Sequence, residues 1–369
     1  MRSNTSDSRS SSTPVLSRKK YGLTTIQSPI LPAHARTMTQ KQHPIGSGFT
    51  AASTTSDVLA GIDLSGTNVI VTGGHVGLGL ESTRALSKAG ASVVVGSRDP
   101  DRAAPALAGL ERVEIDQLDL LDPASIDAFA TRYLATGRPL DILINCAGIR
   151  AVPLARDARG YESQFATNHL GHFQLTLALL PGLRSAHGAR VVNVTSGGHR
   201  VSGIRWDDPH FASGYEAHAG YGQSKTANIL FAVELDRRWS EDGIRGFAVH
   251  PGIIVDTNLA SWMSAEESHS TNLAAGLIDE SGRPIIDPDN EKKTPQQGAS
   301  TIVFAATSPL LADIGGVYLK DNDISPLDSD PQPIDLSSGD VPPTSVVPHA
   351  LDPESANRLW ELSEQLLKA

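Results

Sequence analysis

The chain predicts an α/β fold, a doubly wound parallel sheet of about seven strands with helices on both faces, in one domain. Three observations lead there. Short β-branched runs alternate with helical patterns from about residue 66 to residue 320. Those runs are nearly continuous in apolar residues, as strands buried on both faces must be. The first run passes directly into a glycine-rich turn and then a helical pattern.

The runs "NVIVT" (68–72), "SVVVGS" (92–97), "RVEIDQL" (112–118), "DILIN" (141–145), "RVVNVT" (190–195), "GFAV" (246–249) and "GVYL" (316–319) read as strands. "GLGLESTRALSKAG", "PASIDAFATRYLATG", "YESQFATNHLGHFQLTLALLPGL" and "TANILFAVELDRRWSEDG" read as helices between them. Right-handed crossovers then place ligands beyond the carboxyl ends of the strands.

The flanks differ in composition. Residues 1–56 hold seven Lys/Arg and a single acid, Asp7, and are rich in Ser and Thr. They read as a disordered leader, either an organelle transit peptide or an unstructured extension upstream of Met38. Residues 326–350 form a Pro/Asp-rich loop, and a short amphipathic helix follows within 351–369. A formal charge of −10 argues against a general nucleic-acid binder. No apolar run reaches the ~20 residues of a membrane-spanning helix. The single cysteine, Cys146, excludes an internal disulfide framework and suits a reducing compartment, so a cytoplasmic location is expected.

Chemistry-bearing residues fall at the strand ends. In "TGGHVGLG", Thr72, Gly73, Gly77, Leu78 and Gly79 link strand to helix. Glycines there permit a tight turn and close approach of a phosphate, and the helix start offers free N–H groups. The second strand ends in "GSRDPDR". Ser97 stands where an acid would hold the ribose of NAD(H), and Arg98 offers a fork for the 2′-phosphate of NADP(H). NADP(H) is therefore expected, unless Asp99 or Asp101 turns inward or Arg98 is only a solvated surface charge. Asp119 and Leu120 close the third strand, where adenine should lie. Asn145, Ala147 and Gly148 close the fourth, with Cys146 between them as a packing thiol. In "YGQSKTANILF", Tyr221 and Lys225 lie four residues apart and share one helix face. Tyr215 is no rival, because position 219 is alanine. His169 and His172 lie one turn apart, but no further ligand set accompanies them, and no metal is expected.

The order TGxxxGxG, N-x-A-G, a serine closing the fifth strand and then YxxxK resembles the short-chain dehydrogenase/reductase family over about residues 57–325. "NHLGHFQLT" and "VHPG" look like its branch of retinol dehydrogenases and the WW-domain oxidoreductase. The resemblance implies a Rossmann-type fold and carbonyl–alcohol oxidoreduction by hydride transfer. It implies that Tyr221 is the general acid/base and that Lys225 favours its phenolate and holds the nicotinamide ribose. Ser196, 25 residues before Tyr221, would hold the substrate oxygen, and Asn168 would anchor a water leading from Lys225 to solvent. Pro251, Gly252 and Thr257 would meet the nicotinamide. Thr257 comes one residue later than the family pattern has it, so Asp256 is the other candidate.

Residues 256–293, with Trp262 and Met263, are expected to cover a mid-sized apolar carbonyl or alcohol substrate. A non-catalytic NADP-binding regulator on the same fold is the alternative, as is a specialised reductase of a conjugated ring or a polyketide. Family members commonly pair through the helices after the fourth and fifth strands, so the apolar face of "TANILFAVEL" either serves a homodimer or, as the default, packs on the sheet.

Overall fold

The structure, a computed structural model, describes residues 41–254, 262–332 and 343–368. Its sheet has eight strands in the order β3-β2-β1-β4-β5-β6-β7-β8. These are β1 (Asn68–Thr72), β2 (Ser92–Ser97), β3 (Val113–Gln117), β4 (Ile142–Asn145), β5 (Arg190–Val194), β6 (Arg245–Val249), β7 (Val317–Lys320) and β8 (Asp323–Ile324). The first seven are parallel. Two-residue β8 pairs antiparallel with β7 and had no signal in the sequence, being too short for a period-two pattern.

β1 shows how the sheet divides its residues. Val69 and Val71 enter one core with Phe247 and Phe304, while Ile70 enters the other with Phe129 and Phe173. Alternation therefore packs helices on both faces. Asp99 and Asp122 accept backbone N–H groups at the starts of the helices Pro100–Leu107 and Pro123–Ala135. These caps fix where each chain segment leaves its strand.

Two boundaries need correcting. Residues 41–56, expected in a disordered leader, are bound to the sheet. Gln42 is buried; its Nε2 donates to the carbonyls of Tyr318 (2.8 Å) and Ser325 (2.7 Å). Its Oε1 accepts the Tyr318 N–H at 3.0 Å. The Asp323 carboxylate accepts the N–H groups of Ile45, Gly46 and Ser47. Composition suggested disorder, but one polar side chain satisfies three sheet-edge groups. Residues 1–40 lie outside the described part. Within the expected loop 326–350, Val346, Val347 and Ala350 are core residues, and Leu327 bridges to Val346.

The C-terminal helix, Pro353–Lys368, lies against the long helix Ala217–Trp239. Trp360 packs on Phe173, Phe231 and Trp239 with ring centroids 5.0, 5.9 and 5.3 Å away. Every residue from Gly220 to Asp236 is buried within one chain. The apolar face of "TANILFAVEL" thus packs within the chain, the default reading of the two.

Candidate active site

The glycine turn is shaped by local sterics. Gly73 and Gly77 have φ of +65° and +51°, which residues with a Cβ rarely adopt. A Cβ at Gly79 would lie 2.5 Å from the Gly73 carbonyl oxygen, so the helix Gly77–Lys88 can start only if that position is bare. Its first residue follows Val76, which gives no side-chain cap to its N-terminal N–H groups. Thr72 Oγ1 accepts the N–H groups of Cys146 (2.9 Å) and Ala147 (3.0 Å), joining the ends of β1 and β4. Leu78 packs near the Gly298 and Ile254 contact.

At the end of β2, Ser97 is buried and its hydroxyl donates to the Asp99 carbonyl at 3.0 Å. The Asp99 carboxylate accepts the Arg102 N–H at 3.1 Å as a helix cap, so it is committed there. Arg98 is exposed. Burial pushes the His75 imidazole down, and the charges of Arg102 and Arg98 push it the same way against an opposing Asp99. Arg98 and Arg102 therefore lie near the glycine turn, with Asp99 opposing them. Asp119 accepts the Leu121 N–H at 3.0 Å, and Leu120 is buried with its backbone against Gly171. The Asn145 carboxamide is buried and donates to Asn193 Oδ1 at 2.9 Å, so it ties β4 to β5.

Tyr221 and Lys225 project from the first half of the long helix, both buried. Lys225 Nζ lies 5.5 Å from the Tyr221 ring centroid and donates to the Val194 carbonyl at 3.0 Å. Burial holds its ammonium down at about 8. The Tyr221 phenol is raised by burial, while the Arg150 guanidinium and a hydrogen bond with Ser196 pull it back. Arg150 thus joins Lys225, the neighbour expected from the sequence, as a cation near the phenol. Arg150 gave no signal in the sequence because its approach depends on the loop after β4.

Ser196 follows β5 and caps a short turn, its Oγ accepting the Gly198 N–H at 3.1 Å. A Cβ at Gly198 would stand 3.0 Å from Tyr221 Cε1, and one at Gly222 would stand 2.9 Å from the Gly198 oxygen. Bare positions thus let the serine turn lie directly on the tyrosine's helix. Thr195 adds a bond from its hydroxyl to the Lys225 carbonyl, 2.8 Å.

Asn168 lies in a π-helical turn, Ala166–Leu170, a widened geometry frequent at functional sites. Its Oδ1 accepts the Ile149 N–H at 2.9 Å, and its Nδ2 donates to the Ile149 carbonyl and Ser224 Oγ, both at 2.9 Å. A Cβ at Gly148 would lie 3.0 Å from Asn168 Oδ1 and 3.8 Å from Lys225 Nζ. His172 links this turn to β1. Its Nδ1 donates to the Asn168 carbonyl (3.1 Å) and its Nε2 faces the Thr72 hydroxyl (2.9 Å). His169 is bonded to Ser363 instead.

Pro251 is buried, and Gly252 has φ +85°, with Glu291 O only 2.9 Å from where a Cβ would be. Thr257 and Asp256 lie outside the described residues. Trp262 is exposed, and its Nε1 donates to the Arg150 carbonyl at 3.1 Å, which ties the segment expected to cover a substrate to the loop after β4. Among the described residues no cluster of metal-ligating side chains occurs, and no helix is long and apolar enough to cross a membrane.

The family model described as short chain dehydrogenase matches residues 67–268. The chain belongs to the short-chain dehydrogenase family. It is an NAD(P)-dependent oxidoreductase of that family, with retinol-dehydrogenase-like relatives. A Streptomyces lividans protein named "Probable oxidoreductase" is 44% identical over 315 residues, covering 84% of this chain and 100% of its own. Human retinol dehydrogenase 12 is 33% identical over 312 residues, covering 83% and 88%. Among solved structures, an uncharacterised Mycobacterium paratuberculosis protein superposes with a TM-score of 0.63 at 32% identity, over 86% of this chain and 98% of that one.

Proposed function

We propose that this short-chain dehydrogenase is NADP(H)-dependent and interconverts a mid-sized apolar ketone or aldehyde with its alcohol. The observation that carries the proposal is the buried Tyr221 phenol, set beside the Ser196 turn and followed one helical turn later by buried Lys225. Tyr221 is the general acid for reduction and the general base for oxidation. Burial favours its protonated form, which carbonyl reduction needs. Ser196 donates to the substrate oxygen as charge develops on it. Lys225 holds the nicotinamide ribose. The Asn168 carboxamide is engaged with Ile149 and Ser224, so a water leading from Lys225 is left its backbone carbonyl, which has a second lone pair.

The site residues fit the cofactor. Gly73, Gly77, Leu78 and Gly79 present the uncapped helix start to its phosphates, and Ala147 and Gly148 leave room along β4. The bound nicotinamide supplies or accepts the hydride. NADP(H) is favoured over NAD(H) because Ser97 brings no charge, Asp99 is spent as a cap and Arg98 is exposed beside Arg102's field on His75. A cytoplasmic location accords with the lone, half-buried Cys146.

The test is NADPH oxidation over a panel of ketones and aldehydes, with Tyr221→Phe as control. Tyr221→Phe should lower kcat by ~10²–10⁴-fold while NADPH affinity is retained. If the wild type binds NADPH but matches Tyr221→Phe on every carbonyl, the non-catalytic regulator replaces this reading.

A further inference from the structure

The peptide bond after Ser196 is gripped at both of its polar atoms by a buried imidazole. His199 Nδ1 lies 2.8 Å from the Ser196 carbonyl oxygen. A carbonyl only accepts, so that nitrogen carries the proton. His250 Nδ1 lies 3.1 Å from the Gly197 nitrogen. An amide N–H only donates, so this nitrogen is bare, and the ring's proton sits on Nε2, 3.0 Å from Glu291 Oε2. One peptide unit thus imposes opposite tautomers on two histidines.

The support behind the second ring is a buried polar network. Glu291 adopts φ +66°, uncommon for a residue with a side chain, and is itself buried. Its other oxygen receives Lys320 Nζ at 2.5 Å and the Thr344 hydroxyl. Lys320 also donates to Thr344 Oγ1 at 2.7 Å. Thr344 closes over the same peptide, since a Cβ at Gly197 would meet its Cγ2 at 2.7 Å. His199 is packed on Tyr318 with ring centroids 5.2 Å apart, and its carbonyl accepts the Thr226 hydroxyl at 3.0 Å. The serine turn is therefore held from β6, from the end of the covering segment, from β7 and from the long helix.

We infer that His199, His250 and Glu291 are positioning residues, which fix the Ser196–Gly197 peptide and so aim the Ser196 hydroxyl at Tyr221. This rests on the proposed role of Ser196. A donor contributes most when its direction is set before charge develops, and a serine on an unsupported turn would have to be reoriented in each cycle.

Two measurements on the full chain test it. Hydrogen exchange of the peptide spanning 195–201 needs neither cofactor nor substrate. His250→Leu and His199→Leu should each speed exchange there by ~10-fold or more and leave 221–231 unchanged. His250→Asn, which can still place an acceptor near Gly197, should stay closer to wild type and serves if the leucine variant does not fold. Unchanged exchange in all three overturns the inference. The second measurement is a double-mutant cycle on NADPH oxidation with 4-nitrobenzaldehyde. His250→Leu should lower kcat ~10-fold with KM little altered, but less than ~2-fold in a Ser196→Ala background. Equal losses in both backgrounds would mean that His250 acts elsewhere. If the wild type reduces no carbonyl at all, the functional reading fails, and the exchange measurement still decides whether the peptide is clamped.

Discussion

The glycine turn after β1 and the serine turn after β5 do comparable work in opposite ways. The first is held by the absence of side chains: bare positions at Gly73, Gly77 and Gly79 let backbone approach backbone. Its partners are close in sequence or sit at neighbouring strand ends. The second is held by side chains from distant parts of the chain, with residues 250, 291, 320 and 344 converging on a peptide at 196–197. A turn defined by sterics can be read locally and damaged locally. A turn defined by a polar network depends on the fold around it, so damage to that fold should reach it.

The largest expected effect tests that dependence. Trp360→Ala empties an aromatic cluster between the C-terminal helix and the long helix that carries Tyr221. A loss of ~3–5 kcal/mol in unfolding stability is expected from denaturant titration. A loss near zero would mean the serine side does not lean on its cover. On the other side, Arg98→Glu should raise KM for NADPH by ~10–100-fold and leave KM for NADH within ~3-fold. Its melting temperature should not move, because Arg98 is exposed. An unchanged NADPH-to-NADH preference would reduce Arg98 to a solvated charge.

The smallest effect concerns Lys225. Its folded pKa of about 8 lies below the ordinary 10.5, because burial disfavours the charged form. Between those values the unfolded chain binds the extra proton, so this group's contribution to stability rises with pH across that window. Lys225→Met should therefore melt higher than wild type at neutral pH, and the gap should close as pH rises from 8 towards 10. Parallel curves would show that the ammonium is not desolvated.

The same contrast explains what could be read beforehand. All seven parallel strands were legible as short apolar β-branched runs, and the Tyr221–Lys225 face from the helical period of 3.6; both need only near neighbours. Glycines in the first turn announced themselves because no other residue fits. Arg150 did not, since a charge acts through space and nothing in "AGIR" says where a loop will aim it. Gln42 was lost inside a Ser-rich leader, because a single well-placed amide leaves no compositional trace. His250 was visible only as part of "VHPG"; its partner Glu291 lies 41 residues on.

Gln42 has one more consequence. β8 pairs with only two residues of β7, and just beyond it the Ser325 N–H reaches the Tyr318 carbonyl, which leaves the Tyr318 N–H to another partner. The Gln42 amide bonds both its N–H and its carbonyl, as the peptide of another strand would. At Tyr318 a side chain therefore occupies backbone groups that an unpaired sheet edge would offer to another strand.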